Sequence, residues 1–207
     1  MDRFAYILKE KFPRVFNFAS IGAGWLVKHR FGAKIALAKS ISRVEGGVDR
    51  LVMARALQVD DFCLLEAFIA RQAADRLKFF NPHPFDESGL LKVLTSKAYM
   101  PYGIFIEEEL AGYGLLKVSP TGSAFIGLLV DANFGGSGLG KFIIGYLYWQ
   151  ASVAGLRTRS TISRQNIASL YAHQAVSDYE VIVELPNDYI MIEFPNVIRH
   201  PPELSVE

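Results

Sequence analysis

Residues 124–145 read AFIGLLVDANFGGSGLGKFIIG, and the rest of the chain is arranged around them. Ala124 to Val130 is an apolar run of strand length. A turn follows with four glycines in six residues, Gly135-Gly136-Ser137-Gly138-Leu139-Gly140, and then Lys141 and an apolar segment long enough for a helix. Strand, glycine turn and helix together aim several backbone N–H groups at one point. Glycine lets the backbone approach closely, and the helix start adds partial positive charge. The stretch predicts a site for a phosphate-bearing ligand.

Two familiar phosphate motifs fit poorly. A dinucleotide fingerprint opens a βαβ unit and needs an acid about 20 residues on. Here the glycines come late, and Arg157 to Ile162 contains no acid. A P-loop needs a hydroxyl residue after its lysine to ligate Mg²⁺. Phe142 follows Lys141 instead, which leaves a P-loop NTPase as a distant alternative.

Leu128-Leu129-Val130, four further residues and Gly135-Gly136-Ser137-Gly138-Leu139-Gly140 resemble the acetyl-CoA signature of the GNAT N-acetyltransferases. That signature is Leu-x-Val, a short turn, then Arg/Gln-x-x-Gly-x-Gly/Ala. Gly135 stands where the family has Arg or Gln, so one side-chain contact to the ligand is missing. The resemblance implies acetyl-CoA as co-substrate and no metal, with residues 128–130 along the pantetheine arm and residues 135–141 around the pyrophosphate.

Periodicity gives the order of elements. Leu51 to Leu57 reads as a strand, Asp60 or Asp61 to about Phe79 as one helix, and Glu87 to Lys97 as a second. Strands at 103–106 and 110–118 turn at Glu107-Glu108-Glu109. Beyond the central helix (138–154) come a strand to Ile162, a helix from Asn166 to Val176, and a hairpin turning at Pro186-Asn187-Asp188. This order matches what the resemblance implies over residues 50–195: an α/β (α+β) domain with a mixed, mostly antiparallel sheet flanked by helices. The expected organisation is a helical extension (1–47), the acetyltransferase-like domain (48–196) and a short tail (197–207).

Charge is distributed unevenly. The net charge of +1 divides into +7 over residues 1–43, where nine Lys/Arg face only Asp2 and Glu10, and −6 over the remainder. The front segment reads as two short helices broken near Pro13 and Gly22–Gly24, with Phe4, Tyr6, Phe12, Phe16, Phe18 and Trp25 among the cations. Two readings stay open for it: packing on the acidic body of its own chain or of a twin in a homodimer, and peripheral contact with an anionic membrane. Nucleic acid is not an expected partner. A single cysteine, Cys63, rules out an intrachain disulfide. No uncharged run reaches the roughly 18–20 residues of a membrane span. The expected location is cytoplasmic, peripheral at the inner face of the membrane if the front segment docks there.

The resemblance also implies an Asn beside the pantetheine, matched by Asn166, and a Tyr about seven residues later that protonates the leaving thiolate. His173 holds that position, while the nearest tyrosine is Tyr171. At about 100° per residue, His173 falls within about 20° of the face of Asn166, and Tyr171 lies about 140° away. His173 is therefore the favoured acid. Asp131 is the nearest candidate base, with water as the alternative. The acceptor is expected to be a primary amine on a small molecule. Phe80, His83 and Phe85, around Pro82 and Pro84, form either the wall of its pocket or a core plug; as a wall they would suit an amino-sugar nucleotide. A non-catalytic acyl-CoA-binding module is the rival reading.

Overall fold

A computed structural model describes residues 13–47 and 51–203. Eight strands form one sheet: β1 (Val44–Gly46), β2 (Val52–Ala56), β3 (Tyr99–Ile106), β4 (Glu109–Val118), β5 (Ser123–Val130), β6 (Arg157–Ser163), β7 (Glu180–Leu185) and β8 (Tyr189–Glu193). Their spatial order is β1-β2-β3-β4-β5-β6-β8-β7. Among the described residues only β5 and β6 pair in parallel. The helices are α1 (Pro13–Ser40), α2 (Phe62–Ala70), α3 (Ala74–Leu77), α4 (Glu87–Thr95), α5 (Leu139–Val153) and α6 (Ile167–Gln174). The mixed, mostly antiparallel sheet flanked by helices is the architecture read from the sequence.

Both faces of the sheet are covered, so β3 is buried at every position. One face carries Met100, Tyr102 and Ile104 under α1 and α5. The other carries Tyr99, Phe105, Tyr113 and Leu115 under α2 and α4. Gly112 and Gly114 of β4 let α5 lie close: a Cβ on Gly112 would come within 2.6 Å of Ile143 Cδ1, and one on Gly114 within 3.2 Å of Leu147 Cδ2. This close seat fixes where the start of α5 points.

Two expectations about helices are corrected. The front segment is one continuous helix over Pro13–Ser40 and not two short ones. Proline at the first helical position costs no hydrogen bond. Each interior glycine costs only about 1 kcal/mol, and burial of Val27, Ile35 and Ala38 holds the later half in place. The calls that fall on residues 1–12, including Arg3, Phe4, Tyr6, Lys9, Lys11 and Phe12, lie outside the described residues. The single helix expected to run to Phe79 stops at Ala70, and α3 follows after a break at 71–73. Gln72 turns back to donate to the Phe68 carbonyl (3.0 Å), satisfying a group freed by the break.

The remaining turns follow their residues. Asn187 and Asp188 adopt positive φ (59° and 62°) between β7 and β8, a conformation these two residues tolerate better than most. After β8 the chain crosses α5. Ile198 N–H donates to Ser152 Oγ (3.1 Å), and Pro202 packs over Gly145.

Candidate active site

The parallel pairing of β5 with β6 covers Ser123–Ile126 only. From Gly127 onward β5 is paired with β4 alone, out to Val130, while the end of β6 pairs with β8. Neighbouring strand residues send their backbone groups to opposite sides. The Gly122 carbonyl accepts from Arg157 N–H (2.9 Å) on the β6 side, whereas Asp131 N–H donates to the Ala111 carbonyl (2.8 Å) on the β4 side. Alternation therefore turns the backbone groups of Leu128 and Val130 into the opening between β5 and β6. Leu129 faces the core beneath α2 and α4.

The glycine turn continues from that opening. Gly138 occupies the N-cap of α5 with φ +80°, and no side chain caps the helix or places an acid in its first turn. The first helical hydrogen bond is Phe142 N–H to the Gly138 carbonyl (3.1 Å). The N–H groups of Leu139, Gly140 and Lys141 precede it and have no helical acceptor, which suits them to an anion. Gly135 and Gly136 are exposed, Ser137 Oγ donates to the Phe134 carbonyl (2.7 Å), and Lys141 is exposed on the first turn of α5. The strand edge and the helix start thus form one continuous path. Phe142 is buried in the core and cannot serve as a Mg²⁺ ligand. With a mostly antiparallel sheet, this sets aside the P-loop alternative.

Asp131, read as a candidate base, is committed elsewhere. It is 3% exposed and accepts from Arg71 Nε (2.6 Å), Asn133 N–H (3.0 Å) and Gln72 Nε2 (3.1 Å). Burial pushes its carboxyl up, but these hydrogen bonds and the Arg71 charge outweigh it and hold the group below the usual carboxylate range. A carboxylate held that low is a poor proton acceptor at neutral pH. Asp131 anchors the turn.

His173 is the residue favoured from the sequence as the acid. It is buried and stacked on Phe194. Nδ1 donates to the Ser169 carbonyl (2.8 Å), so Nε2 carries the lone pair and has no partner among the described residues. Desolvation lowers its pKa to about 4, against the pull of the Ser169 carbonyl. At neutral pH the ring has no spare proton to give. Its folded pKa lies below its unfolded value, so its contribution to stability is full above about pH 6.5 and is lost as pH falls toward about 4. A His173→Phe variant, keeping the stack, should flatten the melting temperature across that window. Persistence of the wild-type slope would contradict this assignment.

Tyr171 lies on the outer side of α6 and is 70% exposed. The Asn166 side chain accepts from Ser169 N–H (3.1 Å) and caps α6, which leaves its amide NH₂ available. Phe80, His83 and Phe85 do come together, but as a plug. Phe80 stacks on Phe85 and meets Tyr113 edge-on. His83 donates from Nδ1 to the Pro84 carbonyl (2.7 Å) and accepts from Tyr113 Oη at Nε2 (3.0 Å). Burial holds the His83 pKa down. The plug lies against β5, since a Cβ on Gly127 would stand 3.2 Å from Phe80. Cys63 is exposed on α2.

One residue at the site carried no sequence signal. Arg76 Nη2 donates to the Val130 carbonyl (2.7 Å), and its Nε is buried with no partner among the described residues. The guanidinium therefore reaches the opening from α3, 54 residues away in sequence. A groove of about 530 Å³ lies beside the turn, lined by Ile106, Glu107, Glu108, Glu109 and Phe134.

No protein-family model matches the chain, and no curated protein does. Solved structures do. The GNAT domain of PAT from S. lividans aligns with a TM-score of 0.63 at 14% identity, covering 72% of this chain and 96% of that one. The ribosomal-protein-S5-alanine acetyltransferase from Vibrio fischeri gives 0.62 at 14% identity, covering 76% and 100%. The aminoglycoside acetyltransferase AAC(6')-Ib, in complex with coenzyme A, gives 0.54 at 19% identity, covering 68% and 93%. The splayed β5–β6 pair leading into an uncapped helix start belongs to a chain with the fold of the GNAT acetyltransferases.

Proposed function

We propose that this protein transfers an acetyl group from acetyl-CoA to a primary amine of a small molecule. The observation that carries the reading is the path from the open edge of β5 at Leu128 and Val130 to the unclaimed N–H groups at the start of α5. The pyrophosphate would sit on Leu139, Gly140 and Lys141, and the pantetheine along the strand edge, within reach of the Asn166 amide. The narrower reading, an amino-sugar nucleotide, drew on an aromatic wall. With Phe80 and His83 buried, the acceptor is better described simply as an amine.

The neutral amine attacks the thioester carbonyl; the C–N bond forms, the C–S bond breaks and the electron pair leaves on sulfur. A thiol pKa near 8.5 makes this thiolate a competent leaving group at neutral pH. Proton exchange with water completes the step without His173 or Asp131. Holding amine and carbonyl together can supply up to about 7–11 kcal/mol of the barrier. Arg76 adds positive charge where negative charge develops.

An Arg76→Gln variant should lower kcat about 10²-fold with CoA affinity changed less than kcat. Thiol release from acetyl-CoA over a panel of small amines provides the measurement, and an unchanged kcat would remove Arg76 from the chemistry. The rival, a non-catalytic acyl-CoA-binding module, draws support from the locked Asp131 and the neutral, buried His173. It predicts CoA binding with no thiol release for any amine.

A further inference from the structure

The helix α1 has two apolar faces, and the fold uses only one. Val27, Ile35 and Ala38 are buried in the core. At about 100° per residue, Trp25, Leu26, Ala33, Ala36 and Leu37 fall within an arc of about 120° centred opposite them, which also holds His29, stacked on the Trp25 ring, and Ser40. Trp25 is 65% exposed and Leu37 55%, with Leu26 also exposed. Large apolar side chains grouped on one exposed face mark a contact surface.

The charge around this strip points to one kind of partner. The 28 residues of α1 contain Arg14, Lys28, Arg30, Lys34 and Lys39 and not one Asp or Glu. Lys28 flanks one side of the strip, and Arg30 and Lys34 flank the other. Arg30 also donates to the Pro120 carbonyl (2.9 Å), and Lys34 lies over Gly155 at the end of α5. Lys39 turns inward to the Tyr99 carbonyl. An apolar stripe between flanking cations suits the boundary of an anionic bilayer: the apolar side chains enter the acyl region and the long basic ones reach back to the headgroups. Trp25 has the amphipathic ring favoured at that depth. No described helix is long and apolar enough to cross a membrane.

We infer that the outer face of α1 docks the protein on an anionic lipid surface, with Trp25, Leu26 and Leu37 in the bilayer boundary and Lys28, Arg30 and Lys34 at the phosphates. The chain has two tryptophans, and Trp149, on α5, is buried in the core, so a lipid-induced change in emission reports Trp25.

The test mixes the full chain with vesicles of phosphatidylcholine alone and with vesicles containing a third phosphatidylglycerol. Only the anionic vesicles should co-sediment the protein, shift its emission to the blue and, when brominated, quench it. Each Lys or Arg near such a surface strengthens binding about fivefold, so Lys28→Glu/Lys34→Glu should weaken it at least about 25-fold. Leu26→Gln/Leu37→Gln should weaken it at least about tenfold. Circular dichroism verifies that both variants fold. Failure of the wild type to bind anionic vesicles would overturn the inference, as would full binding by the leucine variant. Binding to heparin or polyglutamate with no binding to vesicles would assign the face to an acidic macromolecule and overturn it as well.

Discussion

A Gly138→Asp variant is expected to keep its fold and lose CoA. Gly138 sits at φ +80° on the N-cap of α5. Aspartate tolerates the left-handed region better than most residues, at a cost of about 1–2 kcal/mol. Its carboxylate would take the N–H groups that the ligand needs and would stand against the pyrophosphate. Two like charges about 4 Å apart repel by about 4 kcal/mol at an effective dielectric near 20. The affinity should fall on the order of 10²–10³-fold by calorimetric titration. Gly138→Ala, which carries the strain without the charge, should fall far less. Equal binding by wild type and Gly138→Asp would place the phosphates elsewhere.

Replacing Arg71 by Met should cost about 2–3 kcal/mol and weaken CoA binding too. Asp131 would keep its buried charge without the guanidinium that balances it. Breaking a fully buried pair costs about 3–5 kcal/mol, and the figure is lower here because the Arg71 side chain is 37% exposed. The functional link runs through Asn133, whose N–H the same carboxylate holds at the start of the single turn Ala132–Phe134 leading to Gly135. The pH dependence has a definite sign. The folded pKa of Asp131 lies below the unfolded value of about 3.9, so its stabilisation is present above that pH and disappears as pH falls through the folded pKa. The gap in urea midpoint between wild type and Arg71→Met should therefore be wide at pH 7 and shrink as pH falls below about 4. A gap that stayed constant would mean that the pair does not anchor the turn.

What the sequence reveals here and what it hides divide along contact distance. The strand from Ala124, the glycine turn and α5 are legible because their signals are local: apolar run, positive-φ glycine, periodicity. The β7–β8 hairpin is legible from Asn187-Asp188 for the same reason. The break after Ala70 is not, because it serves a bond from Gln72 to Asp131, 59 residues away. Arg76 escapes notice since no local pattern shows that it reaches Val130. The helical wheel placed Asn166 and His173 on one face of α6, but a wheel does not say what packs against that face. In the structure that face packs on Phe194, and His173 is buried there. The exposed strip of α1 was half visible, as basic and aromatic composition. Its geometry emerges only once Val27, Ile35 and Ala38 are known to point inward.

The most direct measurement is the melting temperature of the wild-type chain with acetyl-CoA, free CoA and Mg-ATP in turn. A ligand at about a hundredfold its Kd stabilises by about 2.7 kcal/mol. For a chain of this size that corresponds to roughly 5–10 °C. The account predicts such a shift with acetyl-CoA and CoA and none with Mg-ATP. No shift with either CoA ligand would contradict it, leaving a GNAT fold whose glycine turn holds some other anion or none.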